Sequence, residues 1–139
     1  MKIISRNLLL FAFLLLLYTL LFRFGLSRLL DAEKFLWVAI ISVLYGAVIF
    51  LTAWMTGRAD GKNNFLFDAG FRWNLTTFIV WGAASEAWFL LGFHSTYESI
   101  KVVHITLLIW SAFLILHLLL FLLLRRRTIK GVHKTDIFE

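Results

Sequence analysis

Long apolar stretches alternate along the chain with short segments that carry its lysines and arginines. Four stretches, at about residues 7–23, 35–57, 73–93 and 102–124, come near or above the roughly 20 residues that a helix needs to cross a bilayer. Only helices and closed barrels satisfy the backbone in hydrocarbon, and these leucine-rich runs lack the alternation of barrel strands. The pattern therefore predicts an all-α integral membrane protein, with residues 1–139 forming one four-helix up-down bundle.

Composition narrows the chemistry that such a protein performs. The chain has 139 residues, 61% of them hydrophobic, so the spans leave only short loops and tails and no room for a soluble catalytic domain. It has no cysteine, which excludes disulfides, thiolate metal ligands and iron–sulfur clusters. It has no proline, which argues against the broken helices that many transporters use. We therefore predict that the protein is not an enzyme.

The basic residues predict the orientation. Ten of the 14 lysines and arginines precede the first span, lie between the second and third, or follow the fourth, and the other four lie on the opposite side. The positive-inside rule then places both termini in the cytoplasm. The first apolar run is too long for a typical signal-peptide core and no small-residue cleavage site follows it, so we predict an uncleaved anchor in a bacterial inner membrane.

The net charge of +6 follows from this distribution. Basic side chains cluster where the spans end, which fits lipid headgroups and argues against nucleic acid. Arg23 is expected to reach the interface at the end of the first span, and residues 23–34 to form an interfacial connector. Arg125, Arg126 and Arg127 are predicted to bind headgroups and stop transfer.

One face of the second span is polar. Tyr45 and Thr52 share it with Ser42 and Thr56, at the spacing of a helical stripe. Such a stripe favours interhelical hydrogen bonds, worth about 0.6 kcal/mol each. A path for a substrate is the alternative interpretation. The first span, which lacks small residues, is expected to face lipid over much of its surface.

Glu86 is predicted to lie near the middle of the third span, among small residues that let another helix approach. A charge at the bilayer centre costs about 2.5–3.5 kcal/mol, so we expect Glu86 to face the bundle and to be protonated. Tyr45, Thr52 and His117 are its expected partners. Glu86 is then either a hydrogen-bonding residue that fixes packing or a proton or cation site.

The fourth span carries His104 and His117, which lie about 140° apart around the helix. Helical rise places Glu86 between them in depth, about 10 Å from each. Their separation of 13 residues resembles that of paired haem ligands in b-type cytochromes, although no other span supplies opposing histidines. Packing is the alternative role of His117. His94 and Glu98, in the last loop, are too few to hold a metal and are expected to be solvated.

Residues 71–124 resemble the bacterial two-transmembrane domain family. The resemblance lies in Phe71-Arg72 at the start of a span, Trp88-Phe89 near its end, and Trp110 followed by His117. Arg72 and Asn74 stand where that family usually has a histidine. The family has no assigned chemistry, so the resemblance implies a non-enzymatic membrane module.

The sequence thus favours a small, non-enzymatic integral membrane subunit without a cofactor. Its expected partners are the lipid bilayer and either further copies of itself or other membrane subunits. Two alternatives stay open. One is a small transporter or channel that uses Glu86. The other is an electron-transfer subunit that binds a haem or pigment through His104 or His117.

Overall fold

The computed structural model describes residues 4–61 and 66–132, with the side chains of residues 4–59 and 70–123. The described chain forms four α-helices, which confirms the all-α prediction. They are α1 (Arg6–Asp31), α2 (Phe35–Gly61), α3 (Leu66–Leu90) and α4 (Ile100–Val132). The predicted connector over residues 23–34 is wrong for most of its length, because α1 continues to Asp31.

Three of these helices are long and apolar enough to cross a membrane: α1, α2 over Phe35–Ala59, and α4 over Ile100–Leu123. These helices support an integral membrane protein. The described part of α3 differs because Arg72, Asn74 and Glu86 interrupt its apolar sequence. Much of the outer surface of α2 and α4 consists of exposed apolar side chains.

Two tight C-terminal caps set where helices end. Beyond α1, Glu33 and Lys34 donate backbone hydrogen bonds to Leu30 (2.9 Å) and Leu29 (2.9 Å), and Glu33 takes φ 55°. This is the Schellman geometry, in which glycine is the usual left-handed residue. A glutamate there carries strain of order 1 kcal/mol, so the turn was not evident from the sequence.

The end of α3 uses the same cap with the usual residue. Gly92 takes φ 73° and donates to the Phe89 carbonyl (3.1 Å), while Phe93 donates to that of Trp88 (3.2 Å). The Phe93 ring packs on Trp88 with 5.2 Å between the ring centroids, the apolar contact that often accompanies this cap. Gly92 therefore ends α3 before the predicted boundary at residue 93.

The helices do not pack as a closed bundle. Among the described residues, α1 packs against α2 and α3, α2 also touches α3, and α4 packs against α3 alone. Gly82 allows the approach of α4, because a Cβ at this position would lie 3.0 Å from Leu107 Cδ2. The arrangement is looser than the predicted bundle, with α4 attached to one side of a three-helix group.

Large apolar side chains such as Leu9, Phe13 and Leu21 are exposed on α1, which agrees with the expectation that this helix faces lipid over much of its surface. One face of α1 is buried along its whole length, at Leu8, Phe11, Leu15, Thr19, Arg23 and Ser27. The first three pack on Trp73 of α3 in the apolar core. The last three are polar. One buried stripe therefore passes from an apolar half to a polar half.

Candidate functional site

Arg23 is the most unusual residue of the buried stripe, because only 5% of it is exposed. It precedes the end of α1 at Asp31 by eight residues, which is about 12 Å along the helix axis. The prediction that Arg23 reaches the interface is therefore wrong: the side chain turns into the protein. A buried guanidinium must have charge and hydrogen-bond compensation close by.

The compensation comes from α3 and from the loop between α3 and α4. Arg23 Nη2 donates to Ser85 Oγ at 2.6 Å, and Nη1 lies 3.6 Å from Glu98 Oε1. The guanidinium carbon lies 5.5 Å from the centroid of the Trp81 ring and 6.0 Å from that of Phe89. Both distances are within the range of cation–π attraction. Arg23 thus joins α1 to α3 and to the loop.

Glu98 is buried as well, which corrects the expectation that it is solvated. Its carboxylate Oε2 accepts hydrogen bonds from Ser27 Oγ and from the Ser95 backbone N–H, both at 3.1 Å. Ser27 in turn accepts from Trp88 Nε1 (3.1 Å). We call Arg23, Ser27, Ser85, Trp88, Ser95 and Glu98 the buried polar network.

The network leaves two buried atoms without a hydrogen bond to any described residue, namely Arg23 Nε and Glu98 Oε1. Both side chains are 6% exposed. Opposite charges at 3.6 Å attract strongly in a low dielectric, but removing each ion from water costs several kcal/mol. The pair therefore adds little net stability, whereas removal of one partner leaves the other charge buried and unpaired.

A partly open cavity of about 250 Å³ adjoins the network, in the space between α1 and α4. Phe22, Arg23 and Leu26 of α1 line one side of it. Val102, Val103 and Thr106 of α4 line the other. Rings of Trp81 and Phe89 and the loop residues Tyr97, Glu98 and Ser99 complete its lining. The cavity is mostly apolar with one internally neutralised ion pair in its wall.

Glu86 makes a contact that the sequence did not predict. Its Oε1 lies 2.8 Å from His104 Nε2, and the two side chains are 35% and 58% exposed. The expected separation of about 10 Å from His104 is wrong because α3 spans Leu66–Leu90, which puts Glu86 four residues from its end instead of in its middle. The expected protonation of Glu86 stays a prediction.

The three expected partners of Glu86 lie elsewhere. Tyr45 shares a hydrogen bond with Thr19 of α1 at 2.7 Å, while the Thr52 hydroxyl donates to the Val48 carbonyl of its own helix. His117 packs edge-on against Phe71, with 5.6 Å between ring centroids. The side chains of Arg125, Arg126 and Arg127 lie outside the described residues, so the headgroup prediction stays a prediction.

The three described histidines, His94, His104 and His117, do not form a metal-binding arrangement. His94 stacks on Phe89 at 4.6 Å, whereas Glu98 turns toward Arg23. Within the described residues, no group of three or more His, Asp or Glu side chains is placed to hold a metal. His104 and His117 contact different residues of α3: Nε2 of His104 lies beside the Glu86 carboxylate, and His117 packs on Phe71.

Comparison with models of protein families, with curated proteins and with solved structures finds no match to this chain. The function is therefore argued from the geometry. The buried polar network was not predicted from the sequence, although one signal for it was present. Thr19, Arg23, Ser27 and Asp31 recur every four residues along α1 and so share one face.

The buried ion pair predicts the response to mutation. Arg23→Leu strands the Glu98 carboxylate in a dry site, so we expect it to destabilise the protein by about 3–5 kcal/mol. Arg23→Leu/Glu98→Leu should recover much of this loss, since neither charge is then buried alone. Arg28→Leu, which removes an exposed arginine from the same helix, is the matched control and should have little effect. Thermal unfolding in lipid nanodiscs measures these effects, and a double variant no more stable than Arg23→Leu would contradict them.

Tyr97 predicts a pH dependence. Its hydroxyl donates to Glu33 Oε1 (2.8 Å), and this hydrogen bond, followed by burial and by the charge of Asp31, raises the pKa of Tyr97 above 10.0. A raised folded-state pKa means that the stabilisation is present below the unfolded value and is lost as pH rises through the folded one. Tyrosinate absorbance in a Tyr18→Phe/Tyr45→Phe background should show this shift, and Glu33→Gln should reduce it. An unchanged Tyr97 pKa in Glu33→Gln would refute the role of the hydrogen bond.

Proposed function

We propose that this chain is a small, non-enzymatic integral membrane subunit that crosses a bacterial inner membrane four times with both termini in the cytoplasm. The three long apolar helices support the membrane location. A fourth crossing by α3 is supported by its packing against each of the other helices. The resemblance of residues 71–124 to the two-transmembrane domain family also favours a membrane module without enzymatic chemistry.

The observation that carries this proposal is the exposed pair formed by Glu86 and His104. The two side chains lie on the outer surface of α3 and α4, within the helical part of the chain. Ionisable groups in membrane helices are costly against lipid and normally face protein or a water-filled cavity. A protein surface that covers Glu86 and His104 therefore explains why they are directed outward.

A second copy of the chain is the partner that best fits this pair. In a two-fold interface, each residue of one copy meets its complement on the other, so an acid and a base side by side are self-complementary. Glu86 of one copy can then pair with His104 of the other. The two glutamates and two histidines would form one cluster in which each side chain has a hydrogen-bond partner. Among the described residues, α4 contacts α3 but neither α1 nor α2. The surface of α4 that does not face α3 is therefore available for this interface.

Cysteine crosslinking tests the interface, and the absence of native cysteine makes single-cysteine variants clean. Leu108 lies one turn beyond His104 and is 71% exposed, whereas Val43 on α2 is 73% exposed. In native membranes we expect Leu108→Cys to form a dimer on oxidation and Val43→Cys not to. Adding Glu86→Leu/His104→Leu should weaken the Leu108→Cys dimer.

Equal crosslinking at the two positions would contradict an interface at Glu86 and His104. A crosslinked product heavier than a dimer of this chain would instead indicate that another membrane protein covers the pair. Both results are read from one gel against the mass of the monomer.

The proposed orientation gives a separate prediction. Lys134→Cys and Thr96→Cys should react with a membrane-impermeant maleimide from opposite sides, because the basic residues place the tail in the cytoplasm and the loop before α4 outside. Thr96 is suited to this purpose because it is exposed, whereas Glu98 is buried in the network. Reaction of both positions from the same side of sealed vesicles would overturn the four-span topology.

A further inference from the structure

The cavity beside Arg23 exists because two helices stay apart. Among the described residues, no Cα of α4 comes within 8 Å of a Cα of α1, and the space between them is partly filled by side chains of α3 and the loop. The remaining volume is about 250 Å³. A dry cavity of about 150 Å³ accommodates a benzene molecule, so this one has room for roughly ten carbon atoms.

The walls select against a charged ligand. The faces of Trp81 and Phe89, which would attract a cation, already carry the Arg23 guanidinium at 5.5 and 6.0 Å. An anion drawn to Arg23 would meet the Glu98 carboxylate, which lies 3.6 Å from it. Because Arg23 and Glu98 neutralise each other, the site offers no net charge to offset the desolvation of an ion.

The polar positions at the cavity suit an uncharged group. Ser99 and Tyr97 lie in the lining where the loop meets α4, while Phe22, Leu26, Val102 and Val103 supply the apolar remainder. A chain placed along these apolar side chains would have its polar end beside Ser99, whose hydroxyl can donate and accept, and beside Tyr97, whose hydroxyl donates to Glu33 and can still accept.

We propose that this cavity binds a neutral amphiphile, an aliphatic chain of roughly ten carbons that ends in an uncharged polar group such as a hydroxyl or an ester. Two sources share this chemistry: the ester-linked chain of a surrounding phospholipid, entering between α1 and α4, and a free alcohol. The site does not depend on the proposed assembly through Glu86 and His104.

Fluorescence quenching tests the proposal on the full chain in nanodiscs. The probes are 10-bromodecan-1-ol, 10-bromodecanoate and 10-bromodecyltrimethylammonium, because bromine quenches a tryptophan that it touches. We expect a saturable component of quenching with the alcohol, and apparent affinities for the two ions lower by about tenfold or more.

The saturable component of quenching should vanish in Trp81→Phe and persist in Trp54→Phe, which removes an exposed indole on α2. Phospholipids brominated near the middle of the chain form a further arm, and saturable quenching by these alone assigns the site to a lipid chain.

Filling the cavity provides the second measurement. Thr106→Phe introduces a ring into the lining and should lower the apparent affinity for the alcohol by about tenfold or more. Ile105→Phe places the same ring on the exposed side of α4 and should leave the affinity unchanged. Ser99→Phe fills the cavity from its loop end, which keeps the test decisive if Thr106→Phe fails to fold by circular dichroism.

Three results would overturn the proposal. Quenching that rises linearly without saturation would show that the alcohol only partitions into the bilayer. Equal affinity for the alcohol and the two ions would show that the neutral wall does not select the ligand. Unchanged saturable binding in both Thr106→Phe and Ser99→Phe would place the bound alcohol elsewhere.

Discussion

The burial of the Arg23 guanidinium is the constraint on which this end of the structure depends. Only 5% of Arg23 is exposed, so water compensates its charge poorly and a carboxylate must be brought to it. Glu98 comes from the loop before α4, and Ser27 and the Ser95 N–H hold that carboxylate in place. The loop is therefore fixed against α1, although α1 and α4 themselves do not pack together.

The same constraint accounts for the cavity. Fixing the loop on α1 determines where α4 begins, while Gly82 brings α4 close to α3 at Leu107. Among the described residues α4 packs on α3 and not on α1, and space remains between Phe22 and Val103. Membrane helices gain no hydrophobic driving force from contact with each other, so such a space is less costly than in a soluble core.

The all-α fold class and the membrane-spanning character of its helices were predictable from the sequence. The contacts between buried side chains were not. Apolar length alone indicates membrane helices, because hydrocarbon requires every span to satisfy its own backbone. The helix ends were harder, since a Schellman turn built on Glu33 has no glycine to mark it. Arg23 was assigned to the interface because an isolated arginine near a span end normally reaches outward. Only the three-dimensional position of Glu98, 75 residues along the chain, reverses that preference.

The Arg23–Glu98 pair and the Glu86–His104 pair differ in one physical respect, which separates their roles. Arg23 and Glu98 are enclosed by the chain's own side chains, so their electrostatic attraction acts on the folding of one molecule. Glu86 and His104 face outward, and in the proposed assembly the second copy removes the cost of exposing them to lipid. Neutralising the inner pair should change stability in an isolated copy. In the proposed assembly, neutralising Glu86 and His104 should change association instead, because the second copy covers them.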